Sequence, residues 1–81
     1  MTQPSPADEL RAAEERVRMG DQRIDISLRG ELRTLLDTAA AMVDVWPELG
    51  DDHDREACDD YACELVGAAL AVARAITGSQ P

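Results

Sequence analysis

The chain has 81 residues and a formal net charge of −9. That length accommodates one small domain at most. The negative charge disfavours contact with phosphate backbones, which are bound by neutralising Lys and Arg side chains.

Lys, Asn and Phe are absent, every basic residue is Arg, and Ala is the commonest residue type. A core assembled from Ala, Leu, Val, Ile and Met, with β-branched and aromatic residues scarce, favours helices. The start, MTQPSPADELR, lacks the basic-then-apolar pattern of a secretory signal. The longest apolar run, residues 65–76, contains Arg74 and falls short of the roughly 20 residues needed to span a bilayer. A cytoplasmic location with Cys58 and Cys63 as free thiols is therefore expected.

Residues 1–5 read as a polar tail, 6–77 as one helical domain and 78–81 as a closing tail. Ser5-Pro6-Ala7-Asp8 predicts a helix start, with Ser5 as N-cap, Pro6 at the first helical position and Gly20 as terminator. Its apolar seam is thin, Leu10, Ala13 and Val17, so a peripheral helix is expected. Residues 23–28 alternate strictly between apolar Ile24, Ile26, Leu28 and polar Arg23, Asp25, Ser27, which is strand periodicity. A lone strand needs its ladder partner from another chain.

The segment from about 29 to 46 is amphipathic, with Leu32, Leu35, Leu36, Ala39, Met42, Val43 and Trp46 at three-and-four spacing. Pro47 stops it, and Trp46 is expected to plug the core at its end. A long last helix, about 53–77, is predicted with a seam of Cys58, Tyr61, Leu65, Ala69, Val72 and Ile76, leaving Cys63 off that seam. Ten of the twelve residues from 65 to 76 are apolar. A helix greasy on all sides is covered by its own fold or by a second subunit, and Leu65, Val66, Leu70 and Ala73 are the candidate oligomer contacts.

The densest chemistry lies in DDHDREACDDYAC, residues 51–63. His53, Cys58, Cys63 and the carboxylates offer zinc-type ligands, but cysteines five apart on a helix point about 140° away from each other. Asp52, Asp54 and Glu56 imitate the first ligands of a calcium loop, yet Ala57 stands where Gly is needed and Cys63 where a bidentate Glu is needed. No metal or cofactor is assigned. His53 has no nucleophile at triad spacing, so no catalytic residue is assigned either. Glu56, Asp60 and Glu64 form a like-charge ladder at four-residue spacing, each pair costing roughly 0.2–0.5 kcal/mol on a helix. With Asp59 they make a candidate acidic face for a basic partner.

Two resemblances bear on these readings. RIDISLRGELRTLLDTAA resembles the start of ribbon-helix-helix repressors and antitoxins, in which an alternating strand pairs with its copy in a dimer; that resemblance implies Arg23, Asp25 and Ser27 as groove-facing residues. The acidic last helix and the long 47–53 connection depart from it. SPADELRAAEERVR and ALAVARAITG resemble the ends of small helical proteins of high-GC actinobacteria and their phages, which implies an accessory, adaptor or inhibitor role.

The sequence thus predicts an all-α, three-helix cytoplasmic protein without enzymatic activity, a homodimer through residues 65–76, whose Glu56, Asp59, Asp60 and Glu64 engage a basic protein. The competing expectations are a ribbon-helix-helix DNA-binding dimer and, third, a metal-binding protein using residues 51–63.

Overall fold

The computed structural model describes residues 5–50 and 61–78. Three α-helices follow one another: α1 (Pro6–Met19), α2 (Ile26–Val45) and α3 (Tyr61–Thr77), with a single 3₁₀ turn at Pro47–Gly50. The all-α, three-helix expectation holds, and no strand occurs among the described residues.

Helix α1 begins and ends where its chemistry dictates. The Ser5 hydroxyl accepts a hydrogen bond from the Asp8 amide at 3.2 Å, Pro6 fills the position whose amide would be orphaned, and Asp8 and Glu9 face the positive helix end. Gly20 takes φ +99, which costs a residue with a Cβ, and its amide donates to the Val17 carbonyl at 3.2 Å. The thin seam nevertheless makes α1 the central helix rather than a peripheral one. Ala7, Leu10, Ala13 and Val17 are all buried, and α1 packs against both α2 and α3. Alanines along the seam let both neighbours approach closely, so few large side chains suffice to fill the space between them.

The expected strand at 23–28 is replaced by a turn and a helix start. The Asp25 carboxylate accepts hydrogen bonds from both the Ser27 amide and the Ser27 hydroxyl, each at 2.9 Å, so Asp25 is the N-cap of α2 and Ile26 its first residue. Ile24 packs on the core edge, whereas Ile26 and Leu28 are exposed.

Helix α2 buries Leu36, Ala39, Ala40 and Val43, with Leu32 and Met42 packed at the margin. It runs antiparallel to α1, as the Arg11–Asp44 and Arg33–Glu14 ion pairs require, since each joins α1 to the distant end or middle of α2. Pro47 removes the next donor and the chain turns, putting Leu49 into the core.

Helix α3 buries Cys63, Val66, Ala69, Leu70, Ala73 and Ile76. Compared with the predicted seam, this face is rotated by about one residue, or ~100°: Ala69 and Ile76 lie inside as expected, but Tyr61, Leu65 and Val72 are exposed. Cys63, expected off the seam, is 2% exposed and packed in the core. The predicted start of this helix at 53, together with Cys58, lies outside the described residues. Gly78 at φ +79 ends the helix, donating to the Arg74 carbonyl at 2.9 Å. The last turn of α3 is tied to the first turn of α1, where Arg74 makes a two-armed pair with Glu9 at 3.1 and 3.0 Å. No described helix is long and apolar enough to cross a membrane.

Candidate functional site

Among the described residues every arginine has an oxygen to bind. Arg11 pairs with Asp44, Arg18 with Glu15, Arg23 with Asp21, Arg33 with Glu14 and Arg74 with Glu9. Arg16 donates to the Ile76 carbonyl at 3.3 Å and Arg29 to the Asp21 carbonyl at 3.4 Å.

The densest of these arrangements is a clasp where the α1–α2 turn meets the end of α3. Arg23 Nε and one terminal nitrogen bind the two oxygens of Asp21 at 3.0 and 2.7 Å, while the guanidinium also reaches the Ile76 carbonyl at 2.6 Å and the Ala75 carbonyl at 3.4 Å. Two cations thus sit on the terminal carbonyls of α3, where the helix dipole is negative. The side-chain hydrogen bond from Arg23, reinforced by one from the Arg23 amide, lowers the Asp21 carboxyl to about 2. Arg11 lowers Asp44 in the same way, and the Ser27 amide and hydroxyl lower Asp25. These carboxylates stay ionised at any ordinary pH and hold helices in place. An open cleft lies beside the clasp, lined by Met19, Gln22 and Thr77 as well as by Arg16, Asp21 and Arg23. Its charged groups already face one another or backbone carbonyls.

The acids divide differently. Asp8 lies in the first turn of α1 and Asp25 caps α2, whereas Glu31, Asp37, Glu48 and Glu64 form no ion pair among the described residues. Glu64 of the predicted acidic face is exposed in the first turn of α3. Its companions Glu56, Asp59 and Asp60 lie outside the described residues. The segment 51–60 carries six acids and one Arg, more than half of the net negative charge.

The predicted oligomer contacts are corrected. Val66, Leu70 and Ala73 are packed inside the chain's own core, because α1 covers the face of α3 that carries them, and only Leu65 of the four is exposed. The apolar character of residues 65–76 is thereby explained within one chain for that face, and the argument for a homodimer through these residues lapses. Of the candidate metal ligands, His53 and Cys58 lie outside the described residues and Cys63 is enclosed by apolar side chains. No three potential metal-binding side chains converge among the described residues. Arg23, Asp25 and Ser27, the groove-facing set of the ribbon-helix-helix resemblance, are engaged in the clasp and the α2 cap.

What the sequence reading missed is where the aromatic residues lie. The chain has one Trp, one Tyr and no Phe, and both aromatics are on the surface, Trp46 52% and Tyr61 84% exposed. Trp46, expected in the core, instead closes α2 about half exposed, and Leu49 from the following turn is buried in the core. The available signal was that each aromatic falls at a helix end within three residues of an acid, Glu48 or Glu64.

No known protein family, curated protein or solved structure matches the chain.

Proposed function

We propose that the protein is a non-enzymatic, acidic interaction module that binds a basic surface of another protein. The observation that carries this reading is the asymmetry of charge: the described arginines are all engaged within the fold, whereas Glu31, Asp37, Glu48 and Glu64 are left for an outside partner, with the acid-rich 51–60 segment adding to the same sign. Cations held by carboxylates and carbonyls are poorly placed to release counterions from DNA, so the same observation weighs against nucleic-acid binding. An accessory role as an adaptor or inhibitor, in which carboxylates occupy a basic site on a host protein, fits a chain of this size and sign.

The test is affinity capture from a lysate of the source organism, comparing the natural chain with a variant carrying Glu56→Gln, Asp60→Asn and Glu64→Gln. Partners retained by the natural chain and lost by the variant are the expected result. Equal recovery by both would remove the acidic face from the mechanism.

A further inference from the structure

Aromatic side chains give the largest return on burial of any residue type. A chain with only two of them, and with a small core, would be expected to use both inside. This one fills its core with Leu, Val, Ile, Cys and six alanines and leaves Trp46 and Tyr61 in solvent. Their placement is related. The start of α2 and the end of α3 meet at the Arg23 clasp, while Trp46 terminates α2 and Tyr61 opens α3, and the 3₁₀ turn after Trp46 packs on α3. Both aromatics therefore belong to the side of the molecule away from the clasp. Glu48 follows Trp46 by two residues, and Glu64 lies one helical turn after Tyr61; both acids are exposed. Each aromatic thus has, within three residues of it in the chain, an exposed acid that makes no ion pair among the described residues.

We infer that Trp46 and Tyr61 are the anchors of a docking surface for a basic, partly apolar segment of a partner protein. Truncation-sensitive positions at protein interfaces are enriched in Trp, Tyr and Arg. Here the chain supplies the aromatics and the partner supplies the cations. A Lys or Arg side chain laid over either ring gains the ring's quadrupole and a neighbouring carboxylate together, while its methylenes or an adjacent Leu cover the ring face. The inference rests on the acidic-surface reading and adds to it the residues that anchor the partner.

Because Trp46 is the sole tryptophan, its fluorescence reports on the surface directly. The probes are a synthetic Leu/Lys amphipathic peptide and poly-lysine, which has the charge without the apolar face. The expected result is saturable binding of the Leu/Lys peptide, a blue shift of Trp46 emission, and protection of Trp46 from acrylamide quenching in the complex. By calorimetry, Trp46→Ala and Tyr61→Ala should each weaken that peptide about tenfold or more, with the helical circular dichroism unchanged. The quenching measurement uses the natural chain, so it decides the matter even should a variant fold poorly. Equal binding of both polycations with Trp46 still open to quencher would overturn the anchors and leave the acidic surface standing. Absence of binding by either polycation at low salt would overturn both. Protection of Trp46 that grows with protein concentration in the absence of peptide would show a second copy covering the surface, which also overturns the inference.

Discussion

The two ends of this molecule follow opposite rules. At the clasp, Asp21 pairs with Arg23, and Arg23 and Arg16 both donate to the last carbonyls of α3, so each cation there faces a carboxylate or the negative helix end. At the other end Trp46, Glu48, Tyr61 and Glu64 face solvent. The contrast teaches that a small chain can tie one end together through a backbone-capping clasp and leave both of its aromatics, each with an exposed acid nearby in the chain, at the other, where Arg11–Asp44 is the ion pair that joins α1 to α2. Stability and binding then become separable by mutation.

The largest effect should come from neither end. Leu10 and Leu36 are fully buried in the shared core, and Leu→Ala at such positions costs about 2–5 kcal/mol. A domain of this size holds roughly 3–5 kcal/mol in total, so either substitution should abolish the cooperative thermal transition seen by circular dichroism. Retention of a sharp transition would mean that the helices hold together without this core.

At the clasp end, Gly20→Ala meets no steric obstacle beyond an Arg29 nitrogen 3.9 Å away, so its cost is the positive φ alone, about 1–2 kcal/mol. The expected outcome is a lower melting temperature with unchanged polycation binding. Acid should act on the same end. Asp21 and Asp25 have carboxyls lowered by their hydrogen-bond partners; the contribution of Asp21 is complete above the ordinary carboxylate value near 3.8 and is lost as pH falls toward about 2. A pH series of melting temperatures should fall across that window, and Asp21→Asn should remove part of the fall. A flat profile from about pH 4 down to about pH 2, measured by the same melts, would break the assignment of the clasp as a stabilising device.

The smallest stability effect belongs to the opposite end. Trp46→Ala should leave stability within about 0.5 kcal/mol, as for exposed positions generally. A loss of several degrees in melting temperature would show that Trp46 supports the fold and would erase the distinction between the two ends.

How much of this was legible depends on how many local signals coincide. Helix α1 was readable at both ends because Ser5, Pro6 and Gly20 each act through their own backbone geometry. The start of α2 was not, because Arg23 to Leu28 satisfies a two-residue period while Asp25 and Ser27 carry the side-chain hydrogen bonds of an N-cap, and the cap prevails. On α3 the apolar residues surround the helix, so no polar stripe phases it. The seam was set through Tyr61, Leu65 and Val72, whereas contact with α1 selects Val66, Leu70 and Ala73. Of the residues of the predicted acidic face, Glu64 is exposed, and Glu56, Asp59 and Asp60 lie outside the described residues. The aromatics escaped the reading because the size and apolar area of Trp46 rank it with the core, whereas Leu49 is the buried residue after α2.

The alanine-rich core has a consequence for how this chain can vary. Ala7, Ala13, Ala39, Ala40, Ala69 and Ala73 are all buried in it. Such positions offer only a single methyl to trim, and enlarging a side chain in a close-packed interior costs about 1–3 kcal/mol. Drift in the interior is therefore confined to the few large residues, and divergence among descendants of this sequence should accumulate on its outer faces.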